Sequence, residues 1–209
     1  MAKREVMRWW LWLALAAAMP GCDAMMGRPK QGALYKLPKD KRVLVLVDVD
    51  AGVSLPPAYA TNLADRLGSL LFTNKDVDQL VPQGQLLALQ QKDQAKFSGM
   101  GTADIARETG ADIVVVVRLW YLQTPKSVDG AVVWGDAQTY VRVVDRNGKL
   151  LWPGQLPGTA VSAHVNEVEV EVRDVPQVLK DLADQLSTRI GRIFYEWQTG
   201  FGEAPVRMI

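Results

Sequence analysis

Two unbroken apolar runs constrain the fold of this chain more than any other feature. The first, RVLVLVDV, occupies residues 42–49, and the second, IVVVV, occupies residues 113–117. Strands without polar alternation are typical of a parallel sheet that is covered on both faces. The sequence therefore predicts an α/β fold in which these two runs are central strands.

The residues between the two runs carry the helical pattern that such a fold requires. A helix is predicted from about Pro56, because Tyr59, Leu63 and Leu67 recur at helical spacing. The remaining predictions are, in order, a short strand at 77–81, a polar helix around 86–90 and a short helix at 102–109 that ends at Gly110.

After residue 130 the period changes to that of antiparallel strands. Residues 131–144 alternate, with Ala137, Val141 and Val143 on one face and polar or aromatic residues on the other. Asn147-Gly148 predicts a hairpin, since both residues tolerate positive φ. Residues 158–172 alternate again, and their phase slips near Asn166, which predicts a bulge or a bend.

A long apolar stripe closes the chain and predicts a helix from about 175 to 197. The expected architecture is a mixed parallel and antiparallel sheet, β-α-β-α-β followed by a β-β meander, with this helix packed on it. We expect a single α/β domain over residues 41–198 and a frayed tail over 199–209.

The amino terminus reads as an export signal. Basic residues at Lys3, Arg4 and Arg8 precede an apolar run at 9–19 that is 11 residues long. A bilayer span needs about 20 residues, so a signal peptide over 1–21 that is removed is favoured over a permanent membrane helix.

Cys22 is the only cysteine in the chain, and it follows Gly21 directly. Residues 19–22, Met-Pro-Gly-Cys, resemble the bacterial lipoprotein signal, with Gly21 and Cys22 matching and Met19 and Pro20 departing from its usual form. The resemblance implies acyl chains such as palmitate on Cys22. Asp23 is similar to an inner-membrane retention signal, and the choice of membrane stays open.

Composition limits the partners of the mature chain. Removal of Lys3, Arg4, Arg8 and Glu5 leaves 21 basic and 22 acidic side chains out of 24 and 23. Without excess positive charge, nucleic acid is not an expected partner. Residues 22–40 lack a sustained period and contain two prolines and two glycines, so we expect a flexible tether between lipid and domain.

The order of elements also carries a family resemblance over residues 41–197. The strand RVLVLVDV, the helix end Ala-Arg-Glu-Thr-Gly-Ala-Asp at 106–112, the strand IVVVV and the long last helix are similar to a group of envelope domains. The group comprises the curli-secretion lipoprotein, the penicillin-binding-protein activator lipoproteins and the amino-terminal domain of the Tol translocation protein. The resemblance implies a non-catalytic domain that docks on envelope proteins.

Asp48 and Asp50, at the end of the first strand, are the strongest catalytic candidates. Their spacing resembles the start of haloacid-dehalogenase phosphatases, in which two carboxylates hold magnesium. Ala51-Gly52 stands where that family has Gly-Thr, and no second carboxylate follows Asp136 at the needed spacing. We therefore favour a structural role for both, with a magnesium-dependent phosphohydrolase as the alternative.

Other catalytic and metal chemistry is not supported by the sequence. His164 is the only histidine and lies on the polar face of an alternating segment, so we expect it to be solvated. One histidine cannot form a metal site. Gly99-Met100-Gly101 follows no strand, and so it predicts a loop and not a nucleotide site. We predict no cofactor, no metal and no catalytic residue.

Aromatic residues give the best indication of binding. Five of them fall in the antiparallel half of the chain and form the predicted docking surface: Trp120, Tyr121, Trp134, Tyr140 and Trp152.

The sequence thus favours a lipid-anchored, non-catalytic scaffold or activator on the periplasmic side of the cell envelope, with membrane and envelope proteins as partners. A homo-oligomer and a small-ligand carrier stay open.

Overall fold

The structure is a computed structural model that describes residues 30–56, 58–126, 133–165 and 175–199. In chain order its elements are β1 (Lys30–Gln31), β2 (Arg42–Val49), α1 (Tyr59–Thr73), β3 (Gln79–Leu80), α2 (Gln83–Lys92), α3 (Gln94–Ser98), α4 (Thr102–Thr109), β4 (Ile113–Gln123), β5 (Gly135–Asp145), β6 (Leu150–Trp152), β7 (Thr159–Val165), α5 (Val175–Gly191) and β8 (Trp197–Gln198).

The two apolar runs form the centre of a six-stranded mixed sheet. Its order is β3-β2-β4-β5, and β6 and β7 both pair with β5. β2 is parallel to β3 and to β4, with Val43 opposite Ile113 and Val49 opposite Leu119. The pairings of β5 are all antiparallel. The predicted mixed α/β fold is therefore confirmed.

Helices cover the two faces of this sheet unequally. On one face α1 and α5 pack along the sheet, and their fully buried residues include Leu63, Leu67, Leu182 and Leu186. On the other face, residues of α2 and α4 pack over the beginning of β4 and its neighbours, in a smaller cluster that reaches Val116 and no further along β4. The second half of β4 therefore lies outside both clusters on that face.

Residues 30–40, which we assigned to the tether, pack against the domain. β1 pairs with β8, and the backbone N–H groups of Leu34 and Tyr35 both donate to the carbonyl of Ile193. Leu37 is 5% exposed and belongs to the main core. Residues 30–40 thus belong to the folded body, and the rest of the predicted tether lies outside the described residues.

The last helix is shorter than the apolar stripe predicts. α5 ends at Gly191, where a Cβ atom would lie 2.9 Å from the ring of Tyr195. The chain then turns, and Phe194 donates to the carbonyl of Gly191. Ile193, Phe194 and Trp197 remain buried. The apolar stripe in the sequence therefore continues beyond the end of the helix, because this turn directs Ile193, Phe194 and Trp197 into the core.

Local predictions in the antiparallel half are confirmed where the structure describes them. Side chains of β5 alternate as expected, and Gly148 adopts φ +82° in the hairpin, where Asp145 accepts from the backbone of Asn147. In the first half of the chain, Gly110 ends α4 in the left-handed conformation, also as predicted. The predicted bulge near Asn166 lies outside the described residues.

Among the helices that are described, none has the length and apolarity to cross a bilayer.

Candidate functional site

One end of the sheet exposes a face that no described helix covers. We call it the open face; it is formed by side chains of β4, β5 and β7: Arg118, Trp120, Tyr121, Asp136, Gln138, Tyr140, Ser162 and His164. The alternation of β7 makes this face clear, since Val161, Ala163 and Val165 are buried whereas Ser162 and His164 are exposed. The open face continues the side of the sheet that α2 and α4 cover at its other end.

A bulge in β4 places two consecutive aromatic residues on the open face. The register shifts between Leu119, which pairs with Thr139, and Tyr121, which pairs with Gln138, so Trp120 is the extra residue. In a regular strand, neighbouring side chains point to opposite faces, and a bulge re-aims one of them. The shift brings Trp120 and Tyr121 together, with ring centroids 5.9 Å apart.

Tyr140 from the neighbouring strand completes an aromatic cluster. Its ring stacks on Trp120 with a centroid separation of 5.8 Å and an interplanar angle of 20°. Trp120 is 38% exposed, and Tyr121 and Tyr140 are half-buried. Three rings with one side in contact and one side exposed offer apolar area at low conformational cost. The aromatic cluster is defined by these three residues.

One ion pair and one hydrogen-bonded pair flank the aromatic cluster. Asp50, which follows β2, accepts from the Nε of Arg118 at 2.6 Å, and this hydrogen bond raises the pKa of Arg118. On the other side, Nδ1 of His164 lies 2.5 Å from Oδ1 of Asp136 across β7 and β5. His164 is solvated, as predicted, although it has a partner. All four side chains are partly exposed, so each pair contributes little to stability.

The other two predicted docking residues have no ring contact with the aromatic cluster. Trp152 pairs with Val143, is 9% exposed and packs between Tyr35 and Phe194, with ring centroids 6.0 and 6.3 Å away. It belongs to the core and is not available for docking. Trp134 is half-buried directly before β5, and its backbone N–H donates to the carbonyl of Pro125.

Asp48 and Asp50, the two candidate magnesium ligands, have different surroundings. Asp48 is exposed near the end of β2, while Asp50 is engaged by Arg118. Within the described ranges, no group of three His, Cys, Asp or Glu side chains is placed to hold a metal ion. The aspartates therefore contribute charge to the rim of the open face.

An apolar groove of about 250 Å³ lies between α1 and α5, lined by Tyr59, Leu179 and Ala183 among others. Ligand pockets usually enclose about 300–1,000 Å³. The groove is smaller than that range, and so it gives no strong support to a carrier of small molecules. Cys22, the predicted lipid attachment site, lies outside the described residues.

Neither a family model nor a curated protein matches this sequence. The fold is similar to several solved structures. Lipoprotein GNA1162 from Neisseria meningitidis has a TM-score of 0.46 and 16% identity, over 72% of this chain and 97% of that one. The PelC dodecamer from Paraburkholderia phytofirmans has a TM-score of 0.44 and 13% identity, over 81% and 97%.

The LpoB C-terminal domain from Escherichia coli has a TM-score of 0.34 and 23% identity, over 60% of this chain and 82% of that one. The similar structures thus include lipoproteins, the class to which the sequence resemblance pointed.

Proposed function

We propose that this protein is a lipid-anchored, non-catalytic scaffold of the cell envelope that binds another envelope protein through the open face. The observation that carries the proposal is the aromatic cluster of Trp120, Tyr121 and Tyr140, which a bulge assembles on a part of the sheet that no described helix covers. The predicted lipid on Cys22 would hold the domain on the periplasmic side of a membrane.

The composition of the open face supports a protein partner. Trp, Tyr and Arg are the residue types that carry most binding energy at protein interfaces. Here Trp120 and Tyr140 stack at the centre, and Arg118 adjoins them through the strand pair β4–β5. The polar pairs at the edge, Arg118–Asp50 and His164–Asp136, resemble the polar rim that surrounds an apolar interface core.

Tethering of the domain to the membrane would promote its binding to a partner. Residues 22–29 are the part of the predicted tether that precedes the described residues. Fully extended at about 3.3 Å per residue, they reach on the order of 26 Å. A domain held this close to the membrane meets membrane-bound partners at a raised effective concentration. A short tether favours partners that are themselves near the bilayer.

Loss of the indole at the centre of the cluster should weaken partner binding strongly. We expect Trp120→Ala to lower the yield of a crosslinked complex in intact cells by at least tenfold, since truncation of a central aromatic anchor costs about 2 kcal/mol or more. Phe72→Ala is the matched control, because Phe72 is an aromatic residue, 57% exposed, in α1 and outside the open face.

The measurement is quantitative crosslinking followed by mass spectrometry, with the amount of folded protein checked for each variant. Equal yields for wild type and Trp120→Ala would contradict the proposal. So would a complex whose mass is that of two copies of the mature chain, since the open face would then serve self-association.

A further inference from the structure

A second candidate site is a cleft of about 490 Å³ enclosed by three separate segments of the chain. None of these segments contributes to the open face. The walls come from residues 32–39 before β2, residues 74–76 after α1 and residues 194–196 before β8. This volume is within the range of about 300–1,000 Å³ that is usual for ligand sites. The cleft is therefore large enough for a small polar ligand or a lipid head group.

Three lysines converge on this cleft from two of its walls. Lys36 and Lys39 come from the amino-terminal segment, and Lys75 comes from the turn after α1. None of these three forms an ion pair with a described residue, whereas Lys30 at the edge lies 2.8 Å from Glu196 and balances that carboxylate. The lining of the cleft thus sets three lysines against the carboxyl groups of Asp76 and Glu196, which leaves an excess of positive charge.

The backbone of Lys75 has a conformation that is unfavourable for residues other than glycine. It adopts φ +58° directly after the C-cap residue Asn74, where helices usually end in glycine. The left-handed conformation costs a residue with a Cβ about 1–2 kcal/mol. Strain of this kind is found at functional sites. At this position the strain places a cation at the rim of the cleft.

A buried carboxyl oxygen adds a second polar feature. Oδ2 of Asp76 is buried and has no hydrogen-bond partner in the structure. Burial raises the pKa of Asp76 to about 6, and the charge of Lys39 opposes that rise. Tyr195 and Glu196 from the third wall also line the cleft. Below pH 6 the carboxyl is mainly protonated, so it can donate a hydrogen bond to an anionic oxygen.

We propose that the cleft lined by Lys36, Lys39, Lys75 and Asp76 binds a phosphate group, either of an anionic lipid head group or of a free phosphate compound. Lysine is a common phosphate ligand that acts as a point charge, and three lysines line the cleft from two of its walls. The inference goes beyond the docking function, and it requires neither the open face nor the lipid on Cys22.

Two probes distinguish the sources of the phosphate. The full chain is purified in a neutral maltoside detergent; inorganic phosphate is then titrated by calorimetry, and bound phosphatidylglycerol is counted by native mass spectrometry. Binding of phosphatidylglycerol alone would indicate a head group, and binding of inorganic phosphate would indicate a free compound. Either result supports the site, and binding of neither would overturn it.

Matched variants assign the binding to the cleft. The double variant Lys36→Gln/Lys39→Gln should weaken binding roughly 30-fold, from about fivefold for each lysine near the phosphate. Both side chains are exposed, so the fold should persist. The control, Lys92→Gln/Lys149→Gln, removes the same charge from exposed positions outside the cleft. Equal losses in the two double variants would contradict the proposal, because the attraction would then be non-specific.

The pH dependence gives an independent check. Ionised Asp76 repels a phosphate, so phosphatidylglycerol, whose single charge is constant between pH 5 and 8, should bind more tightly as the pH falls through about 6. Asp76→Asn should bind equally well at both ends of this range. A wild type without pH dependence, or an Asp76→Asn variant that keeps it, would contradict a role for Asp76. Partner crosslinking through Trp120 should be unchanged in all these variants.

Discussion

Replacement of Cys22 by serine is expected to abolish labelling of the protein with radioactive palmitate and to release it from the membrane fraction. Each methylene buried in a bilayer contributes about 0.8 kcal/mol, and two or more acyl chains make anchoring firm. Loss of those chains should therefore change membrane affinity more than any other single substitution in this chain. The measurement is labelling in growing cells, followed by fractionation with an alkaline carbonate wash.

The matched control for that substitution is Ala24→Ser, which introduces the same side chain two positions later. It should keep both the label and the membrane fraction. If Cys22→Ser protein retained the label, acylation would occur elsewhere. If it lost the label but stayed in the membrane after the wash, the uncleaved apolar run at 9–19 would be the anchor, and tethering through a lipid would be wrong.

The second large effect concerns Gly158, which immediately precedes β7. It adopts φ +132°, and a Cβ atom there would lie 2.6 Å from the carbonyl oxygen of Val141. Val141 belongs to β5 and is held between β4 and β7, so its backbone cannot move away. We expect Gly158→Ala to lower the free energy of unfolding by about 3 kcal/mol, combining backbone strain with overpacking.

Urea unfolding of the folded chain measures this loss, and Gly154→Ala is its control. Nothing lies within 4 Å of a Cβ built on Gly154, and its φ is not in the left-handed region. That variant should stay within about 0.5 kcal/mol of wild type, as exposed substitutions usually do. Similar losses in the two variants would contradict this explanation, because only Gly158 approaches the backbone of β5 closely.

The sheet could be predicted from the sequence because its signals are local. The apolar runs at 42–49 and 113–117 became β2 and β4, and the alternation after residue 130 became β5. Such patterns follow directly from which faces of a strand are buried. The end of α5 could not be predicted in the same way, because a turn after Gly191 keeps the apolar residues at helical spacing.

The two errors about the surface have one origin. Trp152 was assigned to the docking surface and Tyr35 to a tether, and the structure packs their rings 6.0 Å apart. An amino-terminal segment without periodicity gives no signal that it will pack on a strand far along the chain. The pairing of β1 with β8 and the hydrogen bonds of Leu34 and Tyr35 to Ile193 hold that segment in place.

The aromatic cluster itself was predicted only in part. Alternation would place Trp120 and Tyr121 on opposite faces, and the bulge between Leu119 and Tyr121 brings them together. The sequence signal for it is the spacing of the apolar residues that pack on the main core, which are odd-numbered up to Leu119 and then continue at Leu122. This change of phase marks the bulge.

The central claim is that the open face contacts another envelope protein, and photocrosslinking in living cells tests it most directly. A photoreactive amino acid replaces Gln138 on the open face or, as a control, the exposed Gln91 of α2. The account predicts a discrete protein adduct from position 138 that disappears when Trp120→Ala is added, and no such adduct from position 91. The same adduct from both positions, or none from position 138, would contradict it.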